Sequence, residues 1–186
     1  MFGDSAGDLP RSRDEAAAVA EILGVEARLG SAVTKEALLD ALAAADVLHF
    51  AGHGELSAGN GLDTGLLLAG GDLLRAVDLL GVRTKAELVV LSGCETGVSE
   101  QRVGDELVGL VRALLFAGAG SLLVSQWRVS DASTMSLLRA FYTHAFGERR
   151  VNKAEALRLA AAEVRGDTRW RDFYHWGGFV LVGDWK

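Results

Sequence analysis

The apolar positions of this chain follow two periods, and each period predicts a different kind of element. Short apolar runs of the kind found in strands buried on both faces start at Asp46, Glu87, Ser121 and Phe179. Apolar residues recur with helical spacing over Arg13 to Leu23, Lys35 to Ala45, Asp105 to Ala117, Ala132 to Phe146 and Lys153 to Val164. Because strands and helices alternate, we expect an α/β fold, a three-layer α/β/α sandwich with a mainly parallel central sheet.

The composition is that of a compact domain. Of the 186 residues, 49% are hydrophobic and 24% are charged, and there is one proline, which suits a single domain with one core. The formal charge is −6 and the 19 Lys and Arg residues are scattered along the chain, so no region attracts a phosphate backbone or an anionic membrane surface. We therefore expect neither nucleic acid nor membrane among the partners.

The opening residues and the longest apolar runs predict a protein that stays in the cytoplasm. The first residues lack the basic region and the apolar stretch of a signal peptide. The longest apolar runs are far shorter than the ~20 residues that span a bilayer. The chain has one cysteine, which cannot form an internal disulfide and stays a free thiol in a reducing compartment.

A histidine and this cysteine each follow a predicted strand. His53 stands in Ala-Gly-His-Gly and Cys94 in Ser-Gly-Cys-Glu-Thr-Gly. If the two strands are neighbours in a parallel sheet, their carboxyl ends bring the imidazole and the thiol to one edge. An imidazole can take the proton of a thiol and so activate it as a nucleophile. Gly54 has no side chain, so its N–H could join that of Cys94 in binding a carbonyl oxygen.

Other interpretations of these residues stay open at this point. A single cysteine is often a small buried hydrophobe rather than a catalyst. His49 and His53 have the spacing of a zinc pair on a helix, but on a strand this spacing separates the side chains by about 13 Å. We therefore expect His49 to be a core histidine, and we expect no metal site. No phosphate-binding glycine loop follows a predicted strand.

The sequence around His53 and Cys94 resembles the His and Cys motifs of CHAT domains, which are similar to caspases and separases. The two strings are Val47-Leu-His-Phe-Ala-Gly-His-Gly and Val89-Val-Leu-Ser-Gly-Cys-Glu-Thr-Gly. Further strings follow in the order of the family: Gly104-Asp-Glu-Leu-Val-Gly-Leu, Ala117-Gly-Ala-Gly, Ser125-Gln-Trp-Arg-Val-Ser-Asp and Trp176-Gly-Gly-Phe-Val-Leu-Val-Gly-Asp-Trp. The resemblance extends from Gly3 to Trp185, nearly the whole chain.

This resemblance implies a caspase-like cysteine endopeptidase that acts on a protein or peptide substrate and uses no cofactor. It places the nucleophile at Cys94, the acid/base at His53 and an oxyanion donor at Gly54. It also implies that residues 1–186 form a single CHAT domain. The opening strand looks short, which suggests a domain cut from a longer protein or a start site placed too late, and in the family the missing part is often a helical-repeat partner, of the same or another protein. The alternative is a catalytically idle interaction or signalling module with the same fold.

Two further residues are candidates for the substrate pocket. The related separase motif of Trp, Val and Asp lies near the site that receives a basic side chain, so the resemblance implies that Asp131 is the pocket floor and Trp127 a wall. The structural alternatives are that Trp127 is a core residue and that Asp131 complements the helix dipole beside a capping Ser130. No Gln-Ala-Cys-x-Gly signature occurs, so we do not expect strict specificity for aspartate.

Overall fold

The structure is a computed structural model that describes residues 1–55, 57, 61–92, 103–127 and 130–186, with the side chains of 103–107 excepted. Its helices are α1 (Pro10–Leu23), α2 (Lys35–Ala44), α3 (Ala76–Leu79), α4 (Val103–Ala117), α5 (Asp131–Phe146), α6 (Lys153–Gly166) and α7 (Phe173–Trp176). Its strands are β1 (Phe2–Gly3), β2 (Arg28–Leu29), β3 (Val47–Ala51), β4 (Gly54–Glu55), β5 (Gly65–Leu67), β6 (Leu73–Arg75), β7 (Leu88–Ser92), β8 (Ser121–Ser125) and β9 (Phe179–Gly183).

A six-stranded sheet with the order β2-β1-β3-β7-β8-β9 forms the middle layer. The pairs from β2 to β8 are parallel, and β9 runs antiparallel to β8. The strands β3, β7 and β8 lie inside this sheet and are almost entirely buried, as expected for apolar runs covered on both faces. The predicted α/β sandwich with a mainly parallel central sheet is confirmed.

Helices cover both faces of the sheet. Side chains of successive strand residues point to opposite faces, and two core clusters result. One cluster contains Leu48, Phe50 and Leu91 together with side chains of α2, α3 and α4. The other contains Val90 and side chains of α1, α5 and α6. This partition places α1 and α5 on one side of β3 and α4 on the other.

Helix ends follow the local sequence. Pro10 opens α1, where its missing N–H costs no hydrogen bond, and Gly24 ends it with φ 65°, a conformation that glycine adopts without steric penalty. The side chains of Thr34 and Asn152 cap α2 and α6 by accepting from the N–H groups of Ala37 and Glu155. The five predicted helices match α1, α2, α4, α5 and α6 within three residues at each end.

The segment from Gly52 to Gly65 is polar and rich in glycine, a composition that predicts one long loop, but part of it forms a strand. Its first part is the strand β4, which pairs with β5 in a small antiparallel sheet of order β4-β5-β6. Gly109 of α4 packs against the backbone of Gly61 at a distance that leaves no room for a Cβ atom. The part of the segment that the structure describes is therefore held by β5 and by α4.

His49 is a core residue, as predicted. Its imidazole is fully buried, with Nδ1 3.1 Å from the Tyr142 hydroxyl and Nε2 3.0 Å from the Glu15 carboxylate. Burial, followed by the negative charge of Glu15, raises the pKa of Tyr142 well above its ordinary value, so this hydroxyl stays neutral. The network joins α1, β3 and α5, and it satisfies polar groups that would be costly to bury alone.

None of the helices in the described residues is long and apolar enough to cross a membrane.

We predict that Tyr142→Phe lowers the free energy of unfolding by about 1–2 kcal/mol, because it leaves the buried His49 Nδ1 without its partner. Chemical denaturation with urea measures this change. The matched control is Tyr174→Phe, since the chain has two tyrosines and Tyr174 is exposed. Equal stability of the two variants would show that the buried hydroxyl contributes nothing.

Candidate active site

The carboxyl ends of neighbouring parallel strands meet at one edge of the sheet. The register pairs Ala51, the last residue of β3, with Ser92, the last residue of β7. One residue further on, the Gly52 N–H donates to the Ser92 carbonyl at 3.2 Å. The ends of β3 and β7 therefore lie side by side at this edge, where ligand and active sites are typically found in open parallel sheets.

His53 lies two residues beyond β3 at this edge. Its side chain is 20% exposed, and Nε2 lies 3.1 Å from Oδ1 of Asp8. Cys94 follows Ser92 by two residues in the sequence, but it lies outside the described residues. The structure thus gives the position of the imidazole and of the strand that leads to the thiol.

Asp4 organises the loop that follows β1 and contains Asp8. Its side chain is 3% exposed; Oδ1 accepts from the Leu9 N–H at 2.8 Å and Oδ2 from Arg13 Nε at 3.0 Å. The Asp4 N–H donates to the Ala51 carbonyl at 3.1 Å, which ties the loop to the end of β3. Asp4 has φ 54°, a left-handed conformation that Asp and Asn tolerate better than most residues.

Gly54 occupies a defined position in the small sheet. It stands opposite Leu66 of β5, and the Leu67 N–H donates to the His53 carbonyl at 3.0 Å. This pattern makes Gly54 and Leu66 a non-hydrogen-bonded pair, in which the N–H points away from the partner strand. Because β4 is the edge strand of the small sheet, the Gly54 N–H faces outward beside His53.

Trp127 lies just beyond β8, at the same edge as the ends of β3 and β7. Its indole Nε1 donates to the Tyr174 carbonyl at 3.3 Å, and its ring lies 5.6 Å from that of Phe173. Phe173 is 57% exposed and contacts the Trp176 ring edge-on at 4.8 Å. The edge therefore carries a partly exposed aromatic cluster formed by Trp127 and α7.

Asp131 begins α5 and is an exposed residue. Its side chain is 64% exposed, and Oδ2 lies 3.6 Å from Nε of Arg11, which is equally exposed. Ser130 is the N-cap residue of α5, but its side chain makes no capping hydrogen bond, so the suggested capping role of Ser130 is wrong. Arg128 and Val129 lie outside the described residues.

Two serines near this edge are structural. Ser5 stands in a Gly-x-Ser-x-Gly string, the pattern of serine hydrolase elbows, which sequence reasoning overlooked. Ser5 is buried and its hydroxyl donates to the Leu67 carbonyl at 2.5 Å. Ser92 is also buried, and its hydroxyl has no hydrogen-bond partner among the described residues. Neither hydroxyl is placed to attack an external substrate.

Asp8 and Arg11 are the site residues that sequence reasoning missed. Asp8 lies 45 positions before His53, and no pattern in the sequence links the two. The sequence signal that existed was Asp8 in Gly3-Asp-Ser-Ala-Gly-Asp-Leu-Pro, the string at which the family resemblance begins. In the part of the chain that the structure describes, no group of three or more His, Cys, Asp or Glu side chains could hold a metal ion.

Comparison with known proteins gives a family match and two similar proteins. The family described as CHAT domain matches residues 3–184. The chain is similar to tetratricopeptide repeat protein 28 of Mus musculus, with 30% identity over 95% of this chain and 9% of the mouse protein. It is similar to the protein of that name from Homo sapiens, with 29% identity over 95% of this chain and 8% of the human protein. The chain thus spans under a tenth of either relative.

We predict that Asp4→Asn and Asp4→Ala destabilise the chain to different extents. Asn tolerates the left-handed conformation and can still accept from the Leu9 N–H, so it loses only the ion pair and the hydrogen bond with Arg13, at about 1 kcal/mol. Ala loses the acceptor and adds backbone strain, for a total of about 3 kcal/mol. Urea denaturation, with the exposed Asp14→Ala of α1 as the control, measures both. Equal losses in the two Asp4 variants would contradict this assignment of the loop contacts.

Proposed function

Because this chain belongs to the CHAT domain family, we propose that it is a cysteine endopeptidase in which Cys94 is the nucleophile and His53 the acid/base. The observation that supports this proposal most is the register of β3 and β7, which pairs Ala51 with Ser92. His53 and Cys94 each follow their strand by two residues. Parallel strands in this register direct equivalent positions toward the same edge.

The proposed reaction proceeds through a thioester. His53 takes the proton of the Cys94 thiol as Sγ forms a bond to the peptide carbonyl carbon, whose π electrons move to the oxygen. The tetrahedral intermediate collapses, the C–N bond breaks, and the leaving amine takes the proton from His53. Water then attacks the thioester and gives a proton to His53. The C–S bond breaks, the acid product leaves, and Cys94 recovers its proton.

Gly54 is the proposed oxyanion donor. Its N–H points outward from the edge of β4, next to the imidazole, so it could donate to the oxygen that becomes negative in the intermediate. The N–H of Cys94 is the proposed second donor. Because the other edge of β4 is paired with β5, the Gly54 N–H is already held in position. It therefore needs little reorganisation during the reaction, which favours stabilisation of the transition state.

Trp127 and Asp131 are the proposed substrate-binding residues. Asp131 is exposed and already pairs with Arg11 at 3.6 Å, so it does not form a buried pocket floor. Exposed ion pairs contribute only ~0–1 kcal/mol, and an arginine of the substrate could therefore replace Arg11 at little cost. The aromatic surface of Trp127 could pack against the alkyl part of such a side chain.

The second candidate function is an interaction module without peptidase activity. It is favoured by the names of the similar proteins, which refer to tetratricopeptide repeats, and by the small share of them that this chain covers. A helical-repeat region of the same or another protein is then the proposed partner. A peptidase with a thiol nucleophile, in contrast, acts on a protein or peptide substrate, and a reducing compartment such as the cytoplasm would keep its thiol reduced.

Digestion of a peptide library distinguishes the two candidate functions. We predict that the wild type cleaves such a library, whereas Cys94→Ala and His53→Ala each lose at least ~1000-fold in kcat/KM. Their thermal melts should stay close to that of the wild type, because these side chains serve reactivity rather than packing. Mass spectrometry of the digest measures the cleavage.

The control variant is His144→Ala. His144 also pairs with a carboxylate, that of Glu163 at 2.6 Å, but it lies in the last turn of α5, remote from the edge that carries His53. It should keep full activity. Cleavage by Cys94→Ala would place the nucleophile elsewhere, and a folded wild type without any cleavage would favour the interaction module.

A further prediction concerns the residue before the scissile bond. Asp131→Asn should lower kcat/KM for arginine peptides by roughly three- to ten-fold, the effect of about 1 kcal/mol at an exposed charge, with stability nearly unchanged. Arg11→Gln should raise kcat/KM for arginine peptides, because this substitution frees the Asp131 carboxylate for the substrate. If both variants cleave arginine peptides like the wild type, Asp131 has only its role at the start of α5.

A further inference from the structure

The contact between Asp8 and His53 assigns a third member to the proposed site. Asp8 Oδ1 lies 3.1 Å from His53 Nε2, and Asp8 comes from the loop after β1 rather than from the strands that lead to His53 and Cys94. We propose that Asp8 is a positioning residue, which fixes the ring orientation and the tautomer of His53. This inference rests on the proposed peptidase function, whose dyad it extends.

Hydrogen bonds made by the neighbours of Asp8 in the loop hold Asp8 in place. The Gly7 N–H donates to the Asp4 carbonyl at 3.1 Å, and the Leu9 N–H donates to the Asp4 side chain at 2.8 Å. The residues on both sides of Asp8 are thus bound to one buried residue, Asp4, whose carboxylate pairs with Arg13 of α1. Ser5 adds a hydrogen bond to the Leu67 carbonyl of β5, so the loop is tied to α1, β3 and β5.

The contact between Asp8 and Nε2 of His53 gives the two ring nitrogens different roles in the proposed reaction. A carboxylate accepts hydrogen bonds and cannot donate them when ionised, so Nε2 carries its proton toward Asp8. The other nitrogen, Nδ1, is then the one that takes the proton of the Cys94 thiol. When it does so, the imidazolium that forms is stabilised by the Asp8 charge, as in other sites where a base is oriented by a third group.

The exposure of the Asp8 side chain limits the loss of activity that we expect when Asp8 is substituted. Its side chain is 63% exposed, so solvent screens its charge and the pair is weaker than a buried one. Losses for partners that orient a metal-binding histidine are commonly 10- to 100-fold. For this screened pair we expect a loss on the order of ten-fold.

The single cysteine of the chain gives a readout that needs no substrate. Iodoacetamide alkylates thiolates faster than thiols, so the rate at which intact protein gains one carboxamidomethyl group reports the reactivity of Cys94 alone. The variants are Asp8→Asn, which removes the charge, and Asp8→Glu, which keeps it. The control is Asp14→Asn, an equal loss of charge at an exposed position of α1.

We expect Asp8→Asn to slow alkylation at neutral pH by about ten-fold and to lower kcat on the best library peptide by a similar factor, with KM unchanged. Asp8→Glu should recover most of both rates, and Asp14→Asn should match the wild type. A structural role of Asp8 would instead lower the thermal melt and leave the kcat of the folded protein intact.

The inference is overturned if Asp8→Asn alkylates and cleaves at the rate of Asp14→Asn. His53→Ala separates this outcome from a failure of the proposed function. If His53→Ala slows alkylation while Asp8→Asn does not, the dyad stands and only the role of Asp8 is wrong. If neither variant changes the rate, His53 does not activate Cys94, and the role of Asp8 and the proposed function both fail.

Discussion

The parallel pairing of β3 with β7 is the constraint on which the rest of the site depends. Its register places Ala51 beside Ser92, and the apolar residues of both strands hold that register because they pack into both core clusters. A shift by one residue would turn every side chain of a strand to the opposite face, which would move His49 out of its contacts with Glu15 and Tyr142. The buried His49 network therefore favours the same register that sets the position of His53.

The site itself is formed by segments that leave this edge, and each is held by a different interaction. The Asp4 carboxylate holds the loop with Asp8, the pairing of β4 with β5 orients Gly54, and the aromatic contacts of α7 hold Trp127. Asp8 and His53 thus lie on short connections anchored to the sheet, an arrangement that lets side chains be both exposed and well positioned. The Asp8–His53 contact links the first of these segments to the second, across β1 and β3.

Sequence reasoning predicted the parts that depend on local patterns and missed those that depend on distant contacts. The helices α2 and α6 have clear apolar periodicity and capping residues, and the core position of His49 follows from the spacing of strand residues. The antiparallel direction of β9 could not be predicted from the sequence, because Phe179-Val-Leu-Val has the apolar character of the parallel strands. The strand β4 is two residues long and begins with glycine, so it gives no periodic signal. Asp8 and His53 are 45 positions apart in the sequence, so only the tertiary structure brings them into contact.

The proposed function requires that the edge formed by β3 and β7 bring the Cys94 thiol to the His53 imidazole. A crystal structure of the wild type in its reduced form measures the distance between Cys94 Sγ and His53 Nδ1 directly. We expect about 3 to 4 Å, or up to ~7 Å with one rotamer change between the two groups, since catalytic contacts are often loose without substrate. A thiol buried in the core on the far side of the sheet, or one directed to the opposite edge, would contradict it.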